Sequence, residues 1–228
     1  MESPDNRRPI KARASGWAHW MAAALARGGA MPDLISATSV AFAILGAMLL
    51  LGAGVTAPPA LRAPLLIIAG GCIQLRLLCN LLDGMVAVEH GRGSPAGPIW
   101  NELPDRLSDV VLLAAAGYSA SAAGMRFASE VGWICAVLAL LTAYVRELGR
   151  DLGFTADYSG PMAKQQRMDV LTLACAVSTF EPLWGWRGQS LLIGLVVIAL
   201  GAAITTVRRT RTIARRLAAR AGAQGGNP

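Results

Sequence analysis

Charged side chains are scarce in this chain. Asp, Glu, Lys and Arg make up 15% of its 228 residues, against about 25% in soluble globular domains. Acids are the rarer sign, 14 against 21 Lys and Arg. With 54% hydrophobic residues and a mean hydropathy of +0.46, the composition excludes disordered and collagen-like chains and argues against an ordinary soluble globule. The four cysteines, Cys72, Cys79, Cys135 and Cys175, show no paired metal spacing and sit inside apolar runs. They read as small buried hydrophobes, which excludes a disulfide scaffold. The N-terminus does not read as a signal peptide: Arg7, Arg8, Lys11 and Arg13 resemble a basic leader, but the apolar stretch 21–26 is too short and ends in Arg27. No internal repeat and no second domain is visible.

What the chain has instead is long apolar runs. Crossing a hydrocarbon core of ~30 Å takes roughly 20 mostly apolar helical residues. Six segments meet or approach that standard: 34–55, 64–82, 107–123, 131–145, 170–186 and 191–207. The expected fold is therefore an all-α integral membrane protein of six transmembrane helices. With both termini cytoplasmic, the outer loops hold only Arg62, Arg126 and Arg187 of the 21 basic residues, leaving eighteen inside. This asymmetry fits the positive-inside rule and makes the net charge of +7 an orientation signal. No basic stripe lies on a soluble element, so nucleic-acid binding is a poor reading. A transporter would want its polar residues at mid-membrane rather than at one inner edge.

Before the first span, Trp17, Trp20, Met21, Ala24 and Leu25 recur at helical spacing between Arg13 and Arg27. They predict an amphipathic helix lying in the inner interface. Pro32-Asp33 reads as a turn and N-cap opening the first span. Residues 208–220 read as a basic helical extension suited to anionic lipid headgroups, and 221–228, rich in glycine, as unstructured. The expected organisation is a flexible basic leader over 1–14, a membrane domain over 15–207 and a basic cytoplasmic tail over 208–228.

The scarce ionisable residues concentrate between Arg76 and Asp109, at the inner ends of two spans. Membrane-edge ionisable groups are costly and point to function. Asn80, Asp83 and Ala87 share one helix face, and Asn101, Asp105 and Asp109 form a stripe on the next helix. A turn-rich loop, 90–98, sets the two antiparallel, so the stripes can face each other. Carboxylate and amide oxygens from two helices suit a hard cation such as Mg²⁺, working with the phosphate oxygens of a substrate. The same residues admit a plainer reading: Asn101 as an N-cap, and Asp83 paired with Arg76 or Arg106.

Asn80-Leu-Leu-Asp83-Gly84-Met-Val-Ala87, then Gly97, Asn101 and Asp105, resembles the signature of the CDP-alcohol phosphatidyltransferases. That signature is Asp-x-x-Asp-Gly-x-x-Ala-Arg, eight residues, Gly, three residues, Asp, three residues, Asp, and every spacing is matched. The segment Met31-Pro32-Asp33-Leu34-Ile35-Ser36 is similar to the family's Thr-Pro-Asn-x-Ile-Thr. The resemblance covers roughly residues 15 to 207. It departs where Asn80 and Asn101 replace the first and third aspartates and Val88 replaces the arginine. The two asparagines resemble those of a bacterial subgroup.

The resemblance implies transfer of a phosphatidyl group from CDP-diacylglycerol to a small alcohol or polyol phosphate, with CMP released, in phospholipid synthesis. It implies Mg²⁺ or Mn²⁺ as cofactor, with Asn80, Asp83, Asn101 and Asp105 as metal ligands and Asp105 as the base. Gly84 and Ala87 would line the cytidine site, and Arg76 would steady the diphosphate or Asp83. Two acids fewer should weaken the cation site, whether it holds one metal or two, and Asp109 or Glu102 could restore the charge. For the acceptor phosphate, Arg146, Lys164 and Arg167 beside the second inner loop are candidates, and inside-positive lipid anchors are the competing reading. The alcohol itself stays unidentified. A homodimer is expected from the family alone. The alternative function is a non-catalytic relative serving as a lipid-binding or membrane assembly protein.

Overall fold

The computed structural model describes residues 15–89 and 95–225, without the side chains of Pro98, Asn101 and 223–225. The expected flexible leader, 1–14, and the middle of the first inner loop lie outside the described residues. Seven α-helices run in order: α1 (Gly16–Arg27), α2 (Pro32–Val55), α3 (Pro59–Glu89), α4 (Gly97–Ala122), α5 (Ala128–Asp151), α6 (Lys164–Ser178) and α7 (Gln189–Gly225), with a 3₁₀ turn Glu181–Trp184 before α7. No strand occurs among the described residues. Helices α2, α3, α5 and α7 are long and apolar enough to cross a membrane. Helix α6 has only 15 residues, and the N-terminal half of α4 carries Glu102, Asp105, Arg106 and Asp109.

The six longer helices close a ring in the contact order α2, α3, α6, α7, α5, α4, with α4 also touching α7 across it. The interior is built from small residues as much as large ones, including Ala43, Ala47, Ala116, Ala136 and Ala202 beside Leu66, Ile73, Leu112, Leu195 and Ile198. Small side chains let helix backbones approach closely, the means by which apolar helices associate where lipid is as apolar as leucine. The tightest crossing is α4 on α5: a Cβ on Gly117 would stand 2.6 Å from the Ala128 carbonyl oxygen and 2.9 Å from the Gly132 Cα. Any larger residue there would force the two helices apart.

Several boundaries differ from the sequence reading, each for a local reason. The start expected near residue 64 falls at Pro59, with Pro64 inside α3. Asp33 is not an N-cap: Met31 takes that position, Pro32 opens the helix and Asp33 sits in its first turn, where a negative charge favours the helix dipole. Asn101 is not an N-cap either, because α4 begins at Gly97 after Ala96. The segment expected over 170–186 is helical only from Lys164 to Ser178, after which Pro182 sits in the 3₁₀ turn. Helix α7 runs on through 208–220, where a helical extension was expected, and past 221, where an unstructured tail was expected, to Gly225. Its Ala- and Arg-rich sequence is a strong helix former that outweighs the scattered glycines.

Helix α1 docks through its alanines and leaves the tryptophans outward. Ala18, Ala22 and Ala26 are buried against Leu81, Leu82, Met85 and Val86 of α3 and Ile35 of α2. Trp17 and Trp20 are 50% and 67% exposed. Alanine at i, i+4 and i+8 gives a flat strip that allows close docking, and the bulky rings point away.

The two ends of the ring are chemically distinct. At one end Arg62 of α3, 4% exposed, donates to Glu181 Oε2 at 3.0 Å and to Ser178 Oγ at 2.9 Å. Glu181 also accepts the backbone N–H groups of Gly188 at 2.7 Å and Ser190 at 2.6 Å. This buried network ties α3, α6, the 3₁₀ turn and the start of α7 together. At the opposite end lie the residues singled out by sequence.

Candidate active site

Five helices contribute to the polar end: the start of α2, the last turns of α3, the first turns of α4, the last half of α5 and the first turn of α6. Asp83, 4% exposed, is reached from α2 by Ser36, whose hydroxyl donates to Asp83 Oδ2 at 2.6 Å. Its other oxygen, Oδ1, is buried without a hydrogen-bond partner. Neither Arg76 nor Arg106 pairs with it. Arg106 is engaged by Glu102 four residues before it, and Arg76 belongs to α4's acids instead.

Asp105 is the hub. Asn80 Nδ2 donates to its Oδ1, Lys164 Nζ pairs with its Oδ2, and Arg76 Nη2 donates to its backbone carbonyl at 3.1 Å. One turn deeper, Asp109 Oδ1 stands 2.7 Å from Arg76 Nη2, close but off the hydrogen-bond direction, which leaves that oxygen without a proper donor. Its Oδ2 accepts from Arg167 Nη2 at 2.8 Å. Arg167 donates onward to Thr142 Oγ1 at 3.0 Å and the Met162 carbonyl at 3.3 Å. Arg76, Asp109 and Arg167 are each at most 1% exposed. A buried charge persists only when paired, and here two guanidinium groups share one carboxylate.

A third cluster lies toward the rim. Arg146 Nη2 donates to both oxygens of Glu102 at 2.8 Å and its Nε to Glu147 at 2.8 Å, and its guanidinium lies over the Tyr158 ring at 5.5 Å. Burial alone would raise the Glu102 carboxyl, but Arg106 and Arg146 outweigh it and hold the group below the usual range. The two acids expected to restore the lost charge are therefore engaged, Asp109 by two arginines and Glu102 by two others.

Arg76, Asn80, Asp105 and Lys164 thus come together, Asp83 stands beside them on Ser36, and Arg146 and Arg167 bind acids of α4. The Asn101 side chain lies outside the described residues. A Cβ on Gly84 would meet nothing within 4 Å, so a flat group could approach α3 there. Sequence spacing did not single out Ser36 as the partner of Asp83, although the residue lies in the segment resembling the family. It had no means of finding Thr142, or of pairing Arg167 with Asp109 across 58 residues.

A divalent cation fits this donor set as a partner to a bound phosphate rather than in a closed protein cage. The orphaned Asp83 Oδ1 is a buried carboxyl oxygen without a donor, and the neighbouring groups offer hard oxygens. Among the described residues no three His, Cys, Asp or Glu side chains gather for a metal.

No family model matches the chain. It is 26% identical over 195 residues to the phosphatidylinositol phosphate synthases of Mycobacterium bovis and Mycobacterium tuberculosis, covering 85% of this chain and 83% of each relative. To that of Mycolicibacterium smegmatis it is 25% identical over 197 residues, covering 85% and 82%. Among solved structures, the apo form of the M. tuberculosis enzyme superposes with a TM-score of 0.60 at 25% identity, over 85% of this chain and 94% of that one. The same enzyme with CDP-DAG bound gives 0.64 at 24% identity, over 87% and 94%, and with manganese and citrate 0.63 at 24%, over 86% and 88%. These last two likenesses speak to the fold. The spacing from Asn80 to Asp105, the meeting of those two residues across α3 and α4, and the relatives that share most of the chain make it similar to the CDP-alcohol phosphatidyltransferases, with asparagine at the first and third acidic positions.

Proposed function

We propose that the protein transfers the phosphatidyl group of CDP-DAG to a phosphorylated polyol and releases CMP. The observation that carries this is the convergence of Asn80, Arg76 and Lys164 on Asp105 beside the half-satisfied Asp83. Asn80, Asp83, Asn101 and Asp105 would hold Mg²⁺ or Mn²⁺, a reading supported by the manganese-bound neighbour. Such a cation neutralises diphosphate charge and polarises the phosphorus under attack.

The remaining steps belong to the chain. Open space at Gly84 and the small Ala87 admit the cytidine. Lys164 binds the acceptor phosphate next to Asp105, with Arg146 at the rim; Arg167 contributes from behind by fixing Asp109, because its burial leaves no room for direct contact. Asp105 takes the acceptor hydroxyl proton as the oxygen bonds to the phosphatidyl phosphorus. The bond from that phosphorus to the CMP oxygen breaks, and CMP leaves with the electron pair. Arg76 holds the Asp105 backbone and is set too deep to touch the diphosphate itself.

The setting is part of the proposal: six spans in a bacterial inner membrane, both termini cytoplasmic, α1 lying in the inner interface, and a homodimer. The relatives' name makes inositol phosphate the first acceptor to test. Purified protein should convert CDP-DAG and inositol phosphate to CMP and a phosphatidylated product identified by mass spectrometry. A product formed only with glycerol 3-phosphate or serine would reassign the acceptor. One observation favours the second reading, a non-catalytic lipid-binding relative: both Asp105 oxygens are already engaged. Absence of CMP with every acceptor, in Mg²⁺ and in Mn²⁺, would select it.

A further inference from the structure

The second inner loop, 152–163, connects α5 to Lys164, and α7 grips it at several points. Deepest, Thr205 Oγ1 accepts the Met162 N–H at 3.0 Å. Gly160, at φ +121°, lies so close that a Cβ would come within 2.5 Å of Thr205 Cγ2. One turn on, Arg209, 4% exposed, donates to the Ser159 carbonyl at 3.0 Å and the Thr142 carbonyl at 2.9 Å. At the far end Arg220 donates to the Leu152 carbonyl at 3.0 Å and lies 4.4 Å over the Phe154 ring, with Arg216 at 5.8 Å.

Residues 205, 209, 216 and 220, spaced i, i+4, i+11 and i+15, share one helix face. The other arginines of this stretch, Arg208, Arg211 and Arg215, are exposed and lie off that face. The part of α7 expected to be a lipid-facing tail is thus two-sided, and one side has the loop as its partner. Backbone carbonyls held by guanidinium groups at both ends of a loop fix its path, and this loop ends one residue before the ammonium that meets Asp105. Thr142 ties the same loop to the buried centre, since its hydroxyl accepts from Arg167 while its carbonyl accepts from Arg209.

We propose that Thr205, Arg209 and Arg220 are positioning residues for the acceptor half of the reaction, α7 serving as a spine that sets Lys164 opposite Asp105. The inference rests on the function proposed above. It predicts a separation between substrates: loosening the loop moves Lys164 and the acceptor phosphate, while Asp83, Gly84 and the CDP-DAG side stay in place.

The test uses the full chain with Arg220→Ala, a change at an exposed side chain, and separately Thr205→Val. Two readouts are taken, amide hydrogen exchange and steady-state kinetics. In both variants, exchange over 153–163 should rise while that over α3 and α4 stays as in the parent. The acceptor KM should rise about tenfold, in line with the cost of small misplacements at a reacting centre, with the KM for CDP-DAG held within about twofold, and Arg220→Lys should recover part of the loss. Unchanged exchange in the loop overturns the spine whether or not the protein is active. Equal rises in both KM values, or loss of kcat alone, overturn the acceptor role. If the parent protein releases no CMP, the functional reading fails, and exchange still decides whether α7 orders the loop.

Discussion

Replacing Asp109 with alanine would leave two guanidinium groups buried around an empty space. Arg76 and Arg167 are 0% and 1% exposed, and their nitrogens approach the two Asp109 oxygens at 2.7 and 2.8 Å. Removing one partner of a buried ion pair costs about 3–5 kcal/mol, because the stranded charge keeps its desolvation penalty. Arg76 retains Asp105 at 3.4 Å and Arg167 retains Thr142, which puts the expected loss near the lower end, about 3 kcal/mol. For a chain of this length that corresponds to roughly 6–12 °C in Tm. The assay is thermal unfolding in detergent, with Glu102→Ala as the comparison. That rim acid is 37% exposed, and its loss should cost no more than about 1 kcal/mol. Asp109→Ala/Arg167→Ala should cost less than the two single changes added together, since removing the second charge relieves the first. An Asp109→Ala protein within 1 kcal/mol of its parent, or strict additivity in the double variant, would refute the claim that this triad is a paired buried charge cluster.

Three other outcomes follow from the geometry. Asn80→Asp restores the family's acid but replaces a donor to Asp105 with a like charge. It should lower Tm without divalent cations and raise the Tm gained on adding Mn²⁺; no change in either would dissociate Asn80 from the cation site. Gly117→Leu, at the tightest helix crossing, should cost at least ~2 kcal/mol through overpacking, measured by the same unfolding assay. The third outcome concerns pH. Partial burial pushes the Asp157 carboxyl up, but hydrogen bonds from the Ser159 hydroxyl and amide, with Arg209 and Arg216 nearby, outweigh it and hold the group below its usual range. The ordered loop then binds fewer protons than the disordered one. Its order should be constant from neutrality down to the ordinary Asp range, about pH 4, and fall below it as the carboxylate is protonated. Amide exchange over 153–163 across pH, corrected for intrinsic rates, checks this.

Much of the architecture was legible because hydrophobic run length and helical period are properties of single segments. The runs beginning at Leu34 and Leu191 lie inside α2 and α7 as observed. The misplaced boundaries fall at Pro59, Gly97 and Ser178, where helix ends depend on what neighbouring chain does. The site was legible in part, since Asn80 and Asp105 are brought together by two regular helices joined by a short loop. Its pairing was not. Arg76 sits one turn from Asn80 and two turns from Asp83 on its own helix, yet its partners are Asp105 and Asp109 of α4. Choosing among candidate acids requires the rotation of one helix against another, which spacing along a chain does not carry. The same holds for α1, whose tryptophans were the conspicuous signal while three alanines make the contact. Arg209 and Arg220 read as lipid contacts because half of their meaning lies in a loop some fifty to seventy residues away.

The most direct test of the account is divalent-dependent CMP release from CDP-DAG by the full-length protein, compared with Asp83→Ala and Asp105→Ala. Release should need both an acceptor and Mg²⁺ or Mn²⁺, and should fall by at least ~10²-fold in each variant while each still folds. Undiminished release in either variant would contradict it.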